Sequence, residues 1–362
     1  MKAITLVAGA RPNFMKVAPI IQAISEVQNQ GVEISYRLVH TGQHYDKEMS
    51  GSFFEQLEIP EPHVNLGAGG GTQAEQTANI MVRFEQELIA NPCDLVLVVG
   101  DVNSTMACSI TAKKMNIKVA HVEAGIRSGD LSMPEEINRM ITDAIADLFF
   151  TTSELANTNL RQAGISDDRI HFVGNTMIDT LLKQRPNFKA PPIWLKLKLS
   201  RQKYIVLTLH RPANVDEASR LRAMLDEIID NTEGMPLVFP MHPRTAKILE
   251  DLNFRHDCLH MIEPLSYLEF NFLVENAKAV ITDSGGITEE ASIMGVPCLT
   301  LRDSTERPET ISLGTNELVG TNPENIKPYL QRLFAGNWKV GSKIPMWDGK
   351  TARRIVEVLR VN

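Results

Sequence analysis

A repeated unit constrains this chain more than any other feature: a short apolar run, a turn of polar or glycine residues, then a helical stretch. Runs at residues 4–8, 94–99 (DLVLVV), 117–122 (IKVAHV), 205–209, 236–241 and 280–282 are apolar almost throughout instead of alternating. Strands read this way when both faces are buried. Residues 35–40, 148–152, 170–173 and 296–301 extend the series. Strands alternating with helices specify a parallel sheet with right-handed crossovers. The ligand crevice of such a sheet lies outside the carboxyl ends of its strands.

The alternation stops at a proline-rich stretch, residues 186–192, and restarts at Tyr204. A length of 362 residues suits two domains. The expected fold is α/β, with two Rossmann-like domains spanning 1–172 and 173–362. A net charge of −7 argues against nonspecific nucleic-acid binding, which depends on Lys and Arg neutralising phosphates. No apolar run reaches transmembrane length, and the N-terminus enters a strand without a signal-peptide pattern. Cys93, Cys108, Cys258 and Cys298 are scattered, with neither zinc spacing nor a disulfide framework. The expectation is a cytoplasmic protein without metal, membrane or nucleic-acid partner.

The sharpest local signal is residues 279–295, AVITDSGGITEEASIMG. A strand breaks at Asp283-Ser284-Gly285-Gly286 and resumes as a helix, with Ile287, Ala291 and Met294 at helical spacing and Gly295 closing it. Glycine lets a ligand approach the backbone. A new helix turns unsatisfied N–H groups and the positive end of its dipole toward an anion, so phosphate is the expected guest. Glu289 and Glu290, read as first-turn residues, would repel it, so one of them is expected to take a neutral diol such as a ribose. The structural alternative is an ordinary turn with dipole-stabilising glutamates.

The other strand ends carry chemistry too. Arg11 and Lys16 are cations at a helix start, where they oppose the dipole, which favours ligand contact. Asp101 and Glu123 follow separate buried strands and can converge for acid/base work. Asp101 also reads as a helix cap beside Ser104, whereas Glu123 is not a turn-former. Gln43 and Asn175 sit at further strand ends. Pro134 opens a helix expected to turn Ile137, Ile141, Ala144, Ile145 and Leu148 inward, with Glu135 and Arg139 paired. Alone, Glu135 reads as a dipole-stabilising residue. The glycine-rich residues 67–72 lack both P-loop and GxGxxG spacing and read as a flap or an idle loop. In the second half the strand ends deliver His210, Arg211, His242, Arg244, Arg302 and Arg307. The two histidines, followed by arginines and near a phosphate-type turn, point to a ligand. Arg302 and Arg307 could instead pair with Asp303, Glu306 or Glu309. If the two sheets face each other, phosphates bind the second half and acid/base groups reach over from the first.

Taken together, GARPNFMKVAPII, TGQHYD, GDVNST, HVEAGIRSGD, MPEEINR, GNTMIDTL, DSGGITEEA and DSTERPE resemble the non-hydrolysing UDP-N-acetylglucosamine 2-epimerases over essentially the whole chain. Each motif is weak alone, but their joint order is specific. The resemblance implies two Rossmann-like domains facing across a cleft in a glycosyltransferase-B-like arrangement. It also implies that residues 350–362 pack back on the first domain, that the protein is a homodimer, and that no metal or redox cofactor is used. The implied reaction is reversible conversion of UDP-GlcNAc to UDP-ManNAc through elimination of UDP to 2-acetamidoglucal.

By position, Asp101, Glu123 and Glu135 match the family's acid/base carboxylates, and His210 its catalytic-site histidine. Arg11, Lys16, Arg139, Ser284, Gly285, Gly286 and Glu290 match positions that handle UDP or its neighbourhood, Glu290 taking the ribose. Phe270 matches a residue beside the uracil. Gln43, Glu136, Arg211 and His242 match a site where some bacterial members bind a second UDP-GlcNAc as activator. The chain departs from the pattern at Ala213, where the family's His-Arg-x-Glu-Asn run has glutamate, and at Asp46, where the activated members carry glutamine. Related enzymes act on 2,3-diacetamido uronates. A glycosyltransferase of this architecture would not need three acid/base carboxylates.

Overall fold

The structure is a computed structural model describing residues 2–42, 57–241 and 243–362, with the side chains of residues 243 and 244 left out. Two parallel sheets with helices between their strands make this an α/β protein. The chain divides into two compact units, Met1–Lys183 with Pro345–Asn362, and Gln184–Ile344.

The first unit holds β1 (Lys2–Ala8), β2 (Ile34–His40), β3 (Val64–Asn65), β4 (Leu95–Val99), β5 (Lys118–Val122), β6 (Leu148–Thr151) and β7 (Ile170–Phe172). They lie in the order β3-β2-β1-β4-β5-β6-β7, all parallel. All five residues of β4 are buried, as its unbroken apolar run requires. The helix Thr351–Val361 packs against the helix Arg11–Gln28, which returns the chain end to the first unit. Asp179 secures it: its two carboxylate oxygens accept from the Thr351 and Ala352 N–H groups at 3.1 and 2.7 Å, satisfying donors the helix start would otherwise orphan.

The second unit holds β8 (Ile205–Thr208), β9 (Leu237–Pro240), β10 (Leu259–Ile262), β11 (Ala279–Thr282), β12 (Cys298–Thr300) and β13 (Asn316–Leu318). Their order, β10-β9-β8-β11-β12-β13, repeats the first sheet's winding. Each sheet therefore has a switch point where the strand order reverses: β1 beside β4 in the first, β8 beside β11 in the second. Ligands bind outside the carboxyl ends there.

Three strands, β3, β10 and β13, are absent from the sequence reading. All are edge strands, short and interrupted by polar residues, so neither alternation nor an apolar run marks them. The glycine-rich residues 67–72 lead into a helix cap: the Thr72 hydroxyl accepts from the Glu75 N–H and the Glu75 carboxylate accepts from the Thr72 N–H, closing a capping box on the helix Gln73–Ala90.

The helix Pro134–Ile145 overturns its expected orientation. It buries Glu136, Asn138, Arg139, Thr142 and Asp143, while Ile137 and Met140 are exposed. Charged networks around the strand ends claim its inner face, so Ile137 and Met140 look outward and Ile141 and Ile145 are only half-buried.

Candidate active site

At the switch point of the first unit, Asn13 ties the strand exits together. Its side-chain oxygen accepts from the Gly9 and Ala10 N–H groups at 3.1 and 2.9 Å, and its amide donates to the Val99 carbonyl at 3.2 Å. Arg11 is exposed at the first position of the helix that follows.

Beyond β4, Asp101 is partly exposed, and its Oδ2 receives Arg139 Nη2 at 2.6 Å and Nε at 3.0 Å. The following helix starts at Asn103 with Val102 at its N-cap. Asp101 is therefore not the cap, which corrects that reading. Beyond β5, Glu123 is buried and its Oε2 meets Lys16 Nζ at 2.8 Å. Glu123 holds φ at +70°, a left-handed conformation uncommon for a residue with a Cβ. Strain of this kind concentrates at functional sites. β4 and β5 are neighbours, so both carboxylates leave adjacent strands and each is held by a cation.

Arg139 does not pair with Glu135 as its spacing suggested. It bridges Asp101 and Glu136, the latter through Nη1 at 2.7 Å. Glu136 also accepts from the Ser128 N–H and hydroxyl and the Gly129 N–H. Burial alone would raise its carboxyl, but these donors and Arg139 hold it below the usual carboxylate range. Glu135 is half-buried, and among the described residues its carboxylate has no hydrogen-bond partner.

One network escaped the sequence reading. His121, in the middle of β5, is fully buried. Its Nδ1 meets Asp143 Oδ1 at 2.7 Å, and its Nε2 meets the Gly100 carbonyl at 2.8 Å. Asp143 Oδ2 accepts from the Gly125 N–H at 3.0 Å and from Arg127 Nη1 at 2.6 Å. Burial pushes the Asp143 carboxyl up, but His121 and Arg127 outweigh this and hold it low. The network links the turn before Asp101 to the turn after Glu123. Its available signal was a histidine inside an otherwise apolar run, since a buried polar group needs partners. Gly125 is required at φ +77°, because a Cβ there would lie 2.3 Å from the Ala156 carbonyl oxygen.

In the second unit the switch point is clasped by Asp283, which is fully buried. Its carboxylate accepts from the His210 and Arg211 N–H groups at 3.0 and 2.9 Å and from Asn214 Nδ2 at 3.1 Å, and meets His210 Nδ1 at 2.9 Å. Burial raises this carboxyl, but His210 and the other donors pull it below its ordinary range. The His210 side chain is about half exposed (49%), so its ring is both oriented and accessible. The sequence reading treated Asp283 only as the break in the strand.

The helix Gly285–Met294 follows with Ser284 at its N-cap, and Ser284 makes no side-chain cap bond. Gly295 closes it at φ +73°, the left-handed C-terminal position glycine favours. Because the helix starts at Gly285, Glu289 and Glu290 do not lie in its first turn, which corrects that expectation and keeps both away from the open N–H groups. Glu289 pairs with Arg307. Glu290 is buried and accepts from the Tyr267 hydroxyl at 2.7 Å. Burial, reinforced by neighbouring Glu289 and opposed by the Tyr267 bond, pushes Glu290 up to about 7. Phe270 lies one turn along from Tyr267, half-buried against the core. Arg302 pairs with Glu306 at 2.7 Å. Asn175 is buried and caps its helix through the Met177 N–H. Gln43, Asp46 and His242, and the side chain of Arg244, lie outside the described residues.

The family model described as UDP-N-acetylglucosamine 2-epimerase matches residues 25–360. A UDP-N-acetylglucosamine 2-epimerase of Methanocaldococcus jannaschii is 40% identical, with 98% of each chain covered. A UDP-2,3-diacetamido-2,3-dideoxy-D-glucuronate 2-epimerase of Pseudomonas aeruginosa is also 40% identical, over 88% of each chain. The crystal structure of the M. jannaschii UDP-GlcNAc 2-epimerase in complex with UDP-GlcNAc and UDP superposes with a TM-score of 0.88, covering 100% of both chains. The winding of both sheets, the strand-end carboxylates and the Ser-Gly-Gly helix start thus agree with full-length likeness in sequence and structure: this chain belongs to the UDP-N-acetylglucosamine 2-epimerase family.

Proposed function

We propose that the protein interconverts UDP-GlcNAc and UDP-ManNAc by inverting C2 of the sugar. A carboxylate takes the C2 proton, the C–H electron pair forms the C1–C2 double bond of 2-acetamidoglucal, and the C1–O bond breaks with its pair leaving on UDP. A carboxyl on the other face then returns a proton to C2, and UDP re-adds at C1. The C2 proton is barely acidic, so the step needs a good leaving group and a positioned base, and inversion needs proton-transfer groups on both faces.

The observation that carries this reading is the pair Asp101 and Glu123 on adjacent strand ends, each held by its own cation. Glu135, at the start of the helix that supplies Arg139, is the third acid/base group. UDP falls to the second unit: the diphosphate to the N–H groups of Gly285 and Gly286 with Ser284 and His210, the ribose to Glu290, the uracil to Phe270. In the first unit, Arg11, Lys16 and Arg139 are the cations proposed to meet the substrate. Gln43, Glu136, Arg211 and His242 are the candidate residues for a second, activating UDP-GlcNAc. A glycosyltransferase would leave the carboxylate cluster without a task.

The P. aeruginosa relative favours a second reading, epimerisation of a UDP-2,3-diacetamido uronate. The test is proton NMR in D2O with each substrate. UDP-ManNAc carrying deuterium at C2 is expected from UDP-GlcNAc. Exchange with the uronate alone would select the second reading, and UDP with free sugar as sole products would make the protein a hydrolase.

We also propose a homodimer. Exposed Ile137 and Met140, three residues apart on the Pro134–Ile145 helix, support it, since exposed apolar side chains on one helix face mark an interaction surface. Light scattering at twice the 40.3 kDa chain mass is the check. Among the described residues no helix is long and apolar enough to cross a membrane.

A further inference from the structure

Arg302 is 4% exposed, yet among the described residues its Nη1 has no hydrogen-bond partner. Its other terminal nitrogen, Nη2, is held by Glu306 Oε1 at 2.7 Å. The guanidinium is therefore fixed at one corner and open at the other. A guanidinium has five donors and no acceptor, so a buried open corner calls for an acceptor or an anion.

Its direction follows from the sheet. β11 and β12 run parallel with Thr282 opposite Thr300, and the Leu301 N–H donates to the Thr282 carbonyl at 2.8 Å. Two residues beyond these partners the chains reach Ser284 and Arg302. A Cβ built on Gly285 would lie 3.7 Å from Arg302 Nη1. The open nitrogen thus faces the start of the Gly285–Met294 helix, whose Ser284 makes no cap bond. The nearby carboxylates are engaged: Glu306 by Arg302, and Asp283 by His210, the Arg211 N–H and Asn214. Fixed donors of two kinds, backbone N–H and guanidinium, converge where an anion would sit.

We propose that Arg302 is a phosphate ligand, its Nη1 donating to the diphosphate of a nucleoside-diphosphate sugar seated on the helix start. This rests on the UDP reading above and adds to it a residue whose charge pairing alone made it look structural. Glu306 keeps the fork turned toward the helix. Lysine would keep the charge but could not reach Glu306 and phosphate at once.

Calorimetric titration of uridine and UDP into the intact wild-type protein, Arg302→Gln and Arg302→Lys tests this. Wild type should prefer UDP over uridine. Arg302→Gln should weaken UDP roughly ten- to hundredfold, the scale of one charge-assisted hydrogen bond, and leave uridine unchanged. Arg302→Lys should fall between. If the single variant does not fold because Glu306 is stranded, Arg302→Gln with Glu306→Gln removes both charges and should show the same UDP-specific loss. Unchanged UDP affinity in a folded variant overturns the assignment, as does an equal loss for uridine. A wild type that binds UDP no better than uridine overturns the UDP reading itself, and this assignment with it.

Discussion

The two units share a winding and differ in the sign of what they present. In each, one side chain spans the exits of the two central strands. In the first it is Asn13, a neutral amide that accepts from two N–H groups and donates to a carbonyl. In the second it is Asp283, a carboxylate that accepts throughout. Around Asn13 the strand-end chemistry is anionic, with Asp101 and Glu123 supported by Arg139 and Lys16. Around Asp283 it is cationic or donating, with His210 supported by Asp283, Arg302 by Glu306, and Arg307 by Glu289. The topology fixes where a ligand meets each sheet, and the supporting charges fix what chemistry each sheet can offer.

Removing the anionic side should break this contrast most severely. Asp101→Asn, Glu123→Gln and Glu135→Gln are each expected to lower turnover by roughly 10²–10⁴-fold, the usual scale for positioned acid/base groups. The UDP dissociation constant should hold, because none of the three is assigned to UDP. Steady-state turnover with product-inhibition constants separates the two effects. Near-wild-type rates in all three variants would remove the elimination scheme. A parallel loss of UDP affinity would mean that the division of labour between the units is wrong.

The next test converts one clasp into the other. Asp283→Asn puts the first unit's amide at the second unit's switch point. It keeps an acceptor for the N–H groups but loses the carboxylate beside His210, so the ring is no longer oriented. A loss of roughly ten- to a hundredfold in kcat/KM is expected, with Asp283 acting as a positioning residue. A second readout is acid stability. Asp283 is held below its ordinary range in the folded state, so it contributes stability that is present above the unfolded carboxylate value and is lost as pH falls through the folded one. Thermal melts of the variant should lack that acid-limb loss. Melts that fall as steeply as wild type on acidification, with kcat/KM unchanged, would sink the clasp role.

How much of this was legible in the sequence follows from what each residue type advertises. Buried central strands such as β4 and β8 are apolar almost throughout, so the sheets and the residues at their carboxyl ends could be located from the chain alone. Edge strands such as β13 (Asn-Glu-Leu) could not, because their pairing partner, not their composition, makes them strands. The motifs carried the likeness to the family but not the pairing within it. Arg139 sits four residues from Glu135 and three from Glu136, and only the fold brings Asp101 to its other side. The Pro134–Ile145 helix shows the same limit. Its apolar spacing predicted an inward face, but buried ion pairs with β5 and the Asp101 turn take that face. His121 and Asp143, which brace both carboxylate-bearing turns, are 22 residues apart, and nothing local links them.

The smallest expected effect concerns Glu290, a buried acid of the second unit that is held by a hydroxyl instead of a cation. Glu290 is buried against the Tyr267 hydroxyl, with Glu289 next to it in sequence, and burial pushes it up to about 7. Its folded value is therefore above its unfolded one. The folded state holds the proton more tightly, so the stabilisation is complete below the unfolded carboxylate range and is lost as pH rises toward 7. Glu290→Gln cannot ionise, so its denaturant midpoint should fall less than that of wild type between pH 5 and pH 8, leaving the variant relatively more stable at the upper end. The same substitution replaces a carboxylate that can accept from two ribose hydroxyls with an amide that has a single acceptor oxygen, and UDP should weaken by up to about tenfold. The two readouts move in opposite directions, as expected where a binding group is held at a cost to stability. An unchanged UDP affinity would remove Glu290 from the ribose and leave an ordinary buried acid. An unchanged pH dependence would mean that Glu290 is ionised throughout, and the second unit would then need a cation at Glu290 to preserve the contrast between the two sheets.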